Sequence, residues 1–293
     1  MSSRTNDADQ VLPLTIVTGG TDGIGKEVAR ELARQGKRVW IIGRSSAKGA
    51  AAEAELRQVG DVRFVAADLG SMAQVRELSD QILAETDEIE SLVHSAGILK
   101  IEHALNGDGI EQNFAINYLG RFLLTERLLP ALTKGRARVV AIAAAGMNKM
   151  VFDFDSLPGI PQLSPFKTFT QSQAANDVWI QDLAARVEGS GVVVTAVMPG
   201  MVETNIRLND ANGFLIKLTD SPVLMPLLRM SILISPATAA ITPVWLATDP
   251  AATANGGFFG PKKKVIKVKS DRKDPVLQRK LRETSLRLVG GAL

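Results

Sequence analysis

The sequence predicts a doubly wound α/β fold, a parallel sheet with helices on both faces. Three observations predict it. Short, near-continuous apolar runs alternate with amphipathic stretches of helical length, the pattern of βαβ units. Glycines cluster where the first apolar run ends and the first helical stretch begins. No linker or internal repeat divides the 293 residues, so residues 1–293 read as one domain.

Residues 14–17 form the first strand and end at Thr18-Gly19-Gly20. Residues 24–35 form a helix that Gly36 stops, as a C-terminal glycine does. Residues 39–42 are the second strand and the alanine-rich stretch 47–59 the second helix. Residues 62–66 and 71–84 repeat the unit. Leu92 and Val93 open a fourth strand. Residues 109–132 read as one long helix, 139–143 as the fifth strand, 168–187 as another long helix and 192–198 as the sixth strand.

Residues 205–235 break this rhythm with an apolar insertion that includes Phe214, Leu218, Met225, Leu228 and Met230. An insertion after the sixth strand lies at the C-terminal edge of the sheet, where ligands bind. Methionines suit a surface that closes on a ligand. The segment is therefore expected to be a lid over an apolar substrate. A packed helix pair and an oligomer contact are the alternatives.

Composition removes several function classes. There is no cysteine, so disulfides, thiolate metal sites and cysteine nucleophiles are excluded. Only His94 and His103 are available as imidazoles, too few for a multi-histidine metal site, and no metal is expected. The N-terminal residues are polar and no apolar run reaches membrane-spanning length, so a cytoplasmic protein without a membrane partner is expected. Net charge is +3, and Lys262, Lys263, Lys264, Lys267, Lys269, Arg272 and Lys273 carry much of the basic excess. No aromatic residues interleave them, so they read as a solvated strand and turn, with no nucleic-acid partner.

The stretch Thr18-Gly19-Gly20-Thr21-Asp22-Gly23-Ile24-Gly25 follows a strand and opens a helix. Gly19 allows the tight turn, Gly23 lets backbone approach a diphosphate, and Gly25 permits close helix packing. Backbone N–H groups at the helix start then face the anion. Near the end of the second strand, an acidic side chain would take the ribose 2′-hydroxyl of NAD. Here stands Gly43-Arg44-Ser45-Ser46, without a carboxylate. Arg44 can pair bidentately with a 2′-phosphate, which favours NADP(H). Asp22 in the glycine loop is a mild counterweight.

These residues resemble the short-chain dehydrogenases/reductases, nearest the retinol-dehydrogenase-like branch, over nearly the whole chain. Residues 18–25 match that family's TGxxxGIG. Ala67-Asp68-Leu69 matches its adenine-contacting aspartate, and His94-Ser95-Ala96-Gly97 stands where it has Asn-Asn-Ala-Gly. Asn117-Tyr118-Leu119-Gly120 matches the helix with the catalytic asparagine. Pro199-Gly200-Met201-Val202-Glu203-Thr204 matches the segment that holds the carboxamide, and residues 235–250 match the penultimate helix. The resemblance implies a seven-stranded Rossmann fold. It also implies cofactor contacts at Gly19, Thr21, Asp22, Gly23, Ile24, Gly25, Arg44, Ser45, Asp68, Leu69, Ser95, Ala96, Gly97, Gln173, Pro199, Gly200, Val202 and Thr204. The two long helices that commonly pair subunits in that family are present, which leaves a homo-oligomer open.

That family's chemistry sits on Asn, Ser, Tyr and Lys, and only Asn117 matches. Ala144 takes the serine's place, Phe169 the tyrosine's and Gln173 the lysine's, whose amide could still reach the ribose hydroxyls. Tyr118, the one tyrosine in the chain, reads as a packing residue, and His94 as a structural histidine at the end of a buried strand. Ser95 is the remaining candidate beside the nicotinamide pocket, with a backbone-capping role at least as well supported. A substrate hydroxyl next to the ketone can replace the acid. Triad-less reductases of aromatic polyketide pathways supply the parallel, so the expected partner is a large apolar polycyclic ketone, angucyclinone-like. A non-catalytic NADP-binding pseudo-reductase and a cyclase or isomerase with retained cofactor are the alternatives.

Overall fold

The computed structural model describes residues 12–100, 102–144, 165–200, 202 and 234–291. The expected lid, residues 205–233 with Phe214, Leu218, Met225, Leu228 and Met230, lies outside the described residues, as does Thr204.

Seven strands form one sheet: β1 Leu14–Thr18, β2 Arg38–Gly43, β3 Val62–Ala66, β4 Ile89–His94, β5 Arg138–Ile142, β6 Val193–Val197 and β7 Gly257–Phe259. Their order is β3-β2-β1-β4-β5-β6-β7, and every pairing is parallel. The order reverses between β1 and β4, which opens a crevice at their C-terminal ends. Thr18 pairs with Ile42 and with His94, so the ends of β1, β2 and β4 lie level. The strands are apolar because both faces are covered. Leu14, Ile16, Leu92 and Val139 join one core cluster, and Val17, Ile41, Val93 and Val140 join the other.

Helices start where the side-chain chemistry dictates. Asp22 caps α1 (Gly23–Arg34), Ser45 caps α2 (Ser46–Leu56) and Ser71 caps α3 (Met72–Glu85). Each offers an oxygen to an N–H that the first turn leaves unpaired. Ser235 and Asp274 do the same for α7 (Pro236–Thr248) and α8 (Pro275–Leu288), each with proline at the first helical position.

The helix expected over 109–132 starts later and is not regular. Gly109 has φ +73° and sits in a turn. Glu111 then caps α4 (Gln112–Phe114), accepting from the Phe114 N–H at 2.9 Å. A π-helical segment, Ala115–Leu119, follows and leads into α5 (Gly120–Lys134). Gly120 is needed at that junction, because a Cβ there would meet the Leu69 carbonyl oxygen at 2.1 Å. The other long helix, α6 (Pro165–Arg186), packs with α4, the π segment and α8.

The basic C-terminal stretch is only partly the solvated turn expected. It forms two 3-10 turns, Pro261–Lys263 and Ser270–Lys273. The Lys263 ammonium lies 4.9 Å from the Trp245 ring centre, and Arg272 is buried beneath the second turn. Tyr118 is a packing residue: its hydroxyl meets Ser285 Oγ at 2.7 Å, beside Phe114 and Phe122. Burial raises its pKa far above the ordinary phenol value, so it is no candidate acid.

Candidate functional site

The β1–α1 turn is built by close backbone approach. The Gly19 N–H donates to the Ile42 carbonyl at 2.8 Å. Thr18 Oγ1 accepts from the Ser95 and Ala96 N–H groups at 3.2 and 3.3 Å, which ties β1 to the β4 loop. Gly19 has φ +67°, and a Cβ on it would stand 2.7 Å from the Ala96 nitrogen. On Gly25 a Cβ would stand 2.3 Å from the Gly19 carbonyl oxygen. Both glycines are therefore demanded by space. They bring the start of α1 against the crevice, where its N–H groups and dipole favour an anion.

A cavity of ≈ 400 Å³ runs along this edge. Of the residues expected to hold the cofactor, Gly19, Thr21, Asp22, Gly23, Ile24, Arg44, Ser45, Asp68, Leu69, Ser95, Ala96 and Gly97 line it. Gly25 lies behind the wall and acts through packing. Pro199, Gly200 and Val202 lie off the cavity, on the turn after β6, where Gly200 has φ +86° and Val202 bridges to Ile234. Asp22 accepts from the Gly23 N–H at 2.7 Å, so its carboxylate occupies the cap beside the anion position. Asp68 accepts from Gly70 N–H at 2.8 Å, which fixes the turn after β3.

Sequence reasoning missed Lys48, Lys100, Ile98, Leu99 and Ile116 on the wall. Lys48 was within reach. It lies three residues past the capping Ser45, to which its N–H donates at 3.4 Å, so a second cation beside Arg44 follows from the cap alone. Lys100 is carried by a loop whose backbone is clasped by Asn113, at 2.8 and 3.0 Å. Nothing in the sequence signals that clasp. The donor set suits a phosphorylated dinucleotide: backbone N–H groups and a helix start for the diphosphate, and Arg44 with Lys48 at one end.

The residues expected around the reacting atoms are held in a tight web. Asn117 Oδ1 accepts from Ile98 N–H at 2.8 Å, while its Nδ2 donates to Ile98 O at 2.9 Å and to Ser172 Oγ at 3.4 Å. Ser172 Oγ donates to Phe169 O at 2.6 Å. Gln173, expected at the ribose, is held by two hydrogen bonds. Its Oε1 accepts from Ala144 N–H at 2.8 Å and its Nε2 donates to Ser172 Oγ at 3.3 Å. A neutral amide is drawn to the otherwise unpaired N–H at the end of β5. Phe169 is half-buried and, like Ala144, brings no hydrogen-bonding side chain. Ser95 lines the cavity, with Oγ 3.0 Å from where a Gly25 Cβ would stand.

His94 is structural. It is fully buried, with Nε2 2.8 Å from Thr125 Oγ1 and its ring edge-on to Trp179 at 5.8 Å. Burial, reinforced by the positive charge of Arg121, holds its pKa well below the ordinary 6.5. The folded state therefore keeps a neutral imidazole where the unfolded chain takes up a proton. Stability should fall as pH drops below about 6.5, by at most about 1.4 kcal/mol per pH unit. Glu111 and Asp182, both raised chiefly by burial, oppose this only nearer the carboxylate range. Urea midpoints measured between about pH 7 and pH 5.5 should show the slope, and His94→Gln should flatten it. An equal slope in the variant would assign the effect elsewhere.

Among the described residues, no group of three or more His, Asp or Glu side chains could hold a metal ion, and no helix is long and apolar enough to cross a membrane.

The short chain dehydrogenase family model matches residues 13–212. Dehydrogenase/reductase SDR family member 13 from Bos taurus is 33% identical over 281 residues, spanning 94% of this chain and 72% of its own. Retinol dehydrogenase 13 from Homo sapiens is 32% identical over 286 residues, spanning 94% and 84%. Among solved structures, a single-residue variant of actinorhodin polyketide ketoreductase with NADPH aligns at TM-score 0.65 and 21% identity, covering 85% of this chain and 95% of that one, a likeness of fold. Because the family match spans well over half of the chain, from the start of β1 past the turn that follows β6, the chain belongs to the short-chain dehydrogenase family of oxidoreductases, whose crevice takes a nicotinamide cofactor.

Proposed function

We propose that this protein is an NADPH-dependent ketoreductase of an aromatic polyketide, angucyclinone-like, in which a substrate hydroxyl replaces the missing protein acid. One observation carries it: a cradle suited to a dinucleotide adjoins a reaction wall whose key positions bear no acid. Ala144 and Phe169 offer no proton, and the Gln173 amide is bound to the β5 end. Asn117 supports this wall by clasping the backbone at Ile98.

Arg44 and Lys48 would hold the 2′-phosphate, and the N–H groups at the start of α1 the diphosphate. Bound NADPH would supply the hydride that reduces the carbonyl carbon. The carbonyl oxygen then takes a proton from the adjacent substrate hydroxyl, and solvent returns one proton to that hydroxyl. What the chain contributes is position: proximity of two bound reactants can supply roughly 7–11 kcal/mol. A protein acid typically adds about 10²–10⁴-fold, which an internal hydroxyl can replace.

The test compares two ligands, a polycyclic ketone with a hydroxyl beside the carbonyl and its methyl ether, each incubated with protein and NADPH. Loss of absorbance at the reduced nicotinamide band is expected with the first. It should slow by at least about 100-fold with the second. Equal rates at equal binding would overturn the proton route. Binding of NADPH without turnover across a panel of ketones would favour a pseudo-reductase. A new product with NADPH unchanged would favour a cyclase or isomerase.

A further inference from the structure

Arg121 lies one turn beyond Asn117, on α5, and is 2% exposed. Its Nη2 donates to the Ala96 carbonyl at 2.6 Å. Nε and Nη1 are buried without a hydrogen-bond partner among the described residues. Burial alone pulls its pKa down to about 10, so it is still a cation at neutral pH, with no carboxylate paired to it among the described residues. A buried charge left without a counter-ion is costly and is seldom kept for packing alone.

Its place gives the charge a direction. Ala96 and Gly97 form the cavity wall, and the guanidinium lies behind them. A Cβ on Gly97 would stand 3.5 Å from Arg121 Nη2 and 3.3 Å from Asn117 Oδ1. Only backbone therefore separates the cation from the cavity at this point. Arg44 and Lys48 mark the opposite end of the cleft, where a 2′-phosphate fits. The α1 start marks the middle. The wall at Gly97 then faces the nicotinamide half of an extended dinucleotide.

We propose that Arg121 is a positioning residue whose fixed charge makes this site bind the uncharged, reduced nicotinamide more tightly than the cationic, oxidised one. The inference rests on the reading of the cleft as an NADP(H) site. A unit charge facing the ring through one layer of backbone, at an effective dielectric of about 20–40, changes the ratio of the two affinities by an order of magnitude, about tenfold. The same preference speeds release of the oxidised cofactor, while it opposes the positive charge that builds on the ring during hydride transfer. It also fits a site in which no lysine at position 173 supplies positive charge.

The experiment measures Kd for NADPH, NADP⁺ and 2′,5′-ADP by calorimetry on the whole chain. Wild type should prefer NADPH over NADP⁺ by about tenfold or more. In Arg121→Gln the preference should collapse toward equality, Arg121→Lys should restore much of it, and 2′,5′-ADP should bind all three alike. An Arg121→Gln protein that binds 2′,5′-ADP normally and keeps the preference overturns the proposal. So does a preference that vanishes in Lys100→Gln but not in Arg121→Gln, which assigns the charge to the other cation on the wall. If Arg121→Gln does not fold, equal wild-type affinities for NADPH and NADP⁺ still overturn it. Failure of both NADPH and 2′,5′-ADP to bind wild type would instead remove the NADP(H) site itself.

Discussion

Gly25→Ala should lose NADPH binding by at least about 100-fold and melt several degrees lower. The new methyl would stand 2.3 Å from the Gly19 carbonyl oxygen, 2.8 Å from its carbonyl carbon and 3.0 Å from Ser95 Oγ. Two of those atoms are backbone and cannot rotate away, so α1 must shift off the end of β1. Overpacking of this kind typically costs about 1–3 kcal/mol, which lowers Tm by roughly 2–4 °C per kcal/mol in a chain of this order of size. The larger loss is functional, because the same shift carries the α1 N–H groups away from the diphosphate. Gly36→Ala is the control. Its φ is +77° but no atom lies within 4 Å of the added methyl, so it should cost about 1 kcal/mol of strain and leave NADPH affinity unchanged. Calorimetry and thermal unfolding of the two variants separate the effects, and normal NADPH affinity in Gly25→Ala would remove the cradle from the account.

The second large effect belongs to the exposed pair at the other end. Arg44→Ala combined with Lys48→Ala should weaken NADPH by about 10²–10³-fold while NADH affinity stays within a few-fold. Each charge-assisted contact to a phosphate is worth about 1.5–3 kcal/mol. Both side chains are solvent-facing, so the difference should shrink as salt rises. Parallel losses for NADPH and NADH would mean that the pair only shapes α2. Gly49, on which Phe64 packs so closely that a Cβ would meet its ring at 2.2 Å, independently seats that helix.

The parts of the site that could be read from the sequence are the local ones. A glycine loop between a strand and a helix must turn tightly and expose N–H groups, whatever surrounds it. Arg44 in place of an acid is a chemical fact at a short, regular distance. That Ala144, Phe169 and Gln173 carry no acid or charge is equally plain. In the structure the helix starts fall at capping side chains such as Asp22, Ser45 and Ser71, which the alternation alone did not single out. Gly109 turned, because Asn106 and Glu111 offer the backbone other hydrogen bonds there.

By itself, then, the sequence determined the alternation of strands and helices and the glycine turn between β1 and α1, since each depends on neighbours a few residues apart. Only the tertiary structure decided the rest. It turned Gln173 onto the β5 end and joined Tyr118 to Ser285, 167 residues away. It also buried Arg272 and set Arg121 behind Gly97 with no carboxylate paired to it among the described residues. A side chain's charge is written in the sequence, but its burial and its partners depend on elements that only packing brings together.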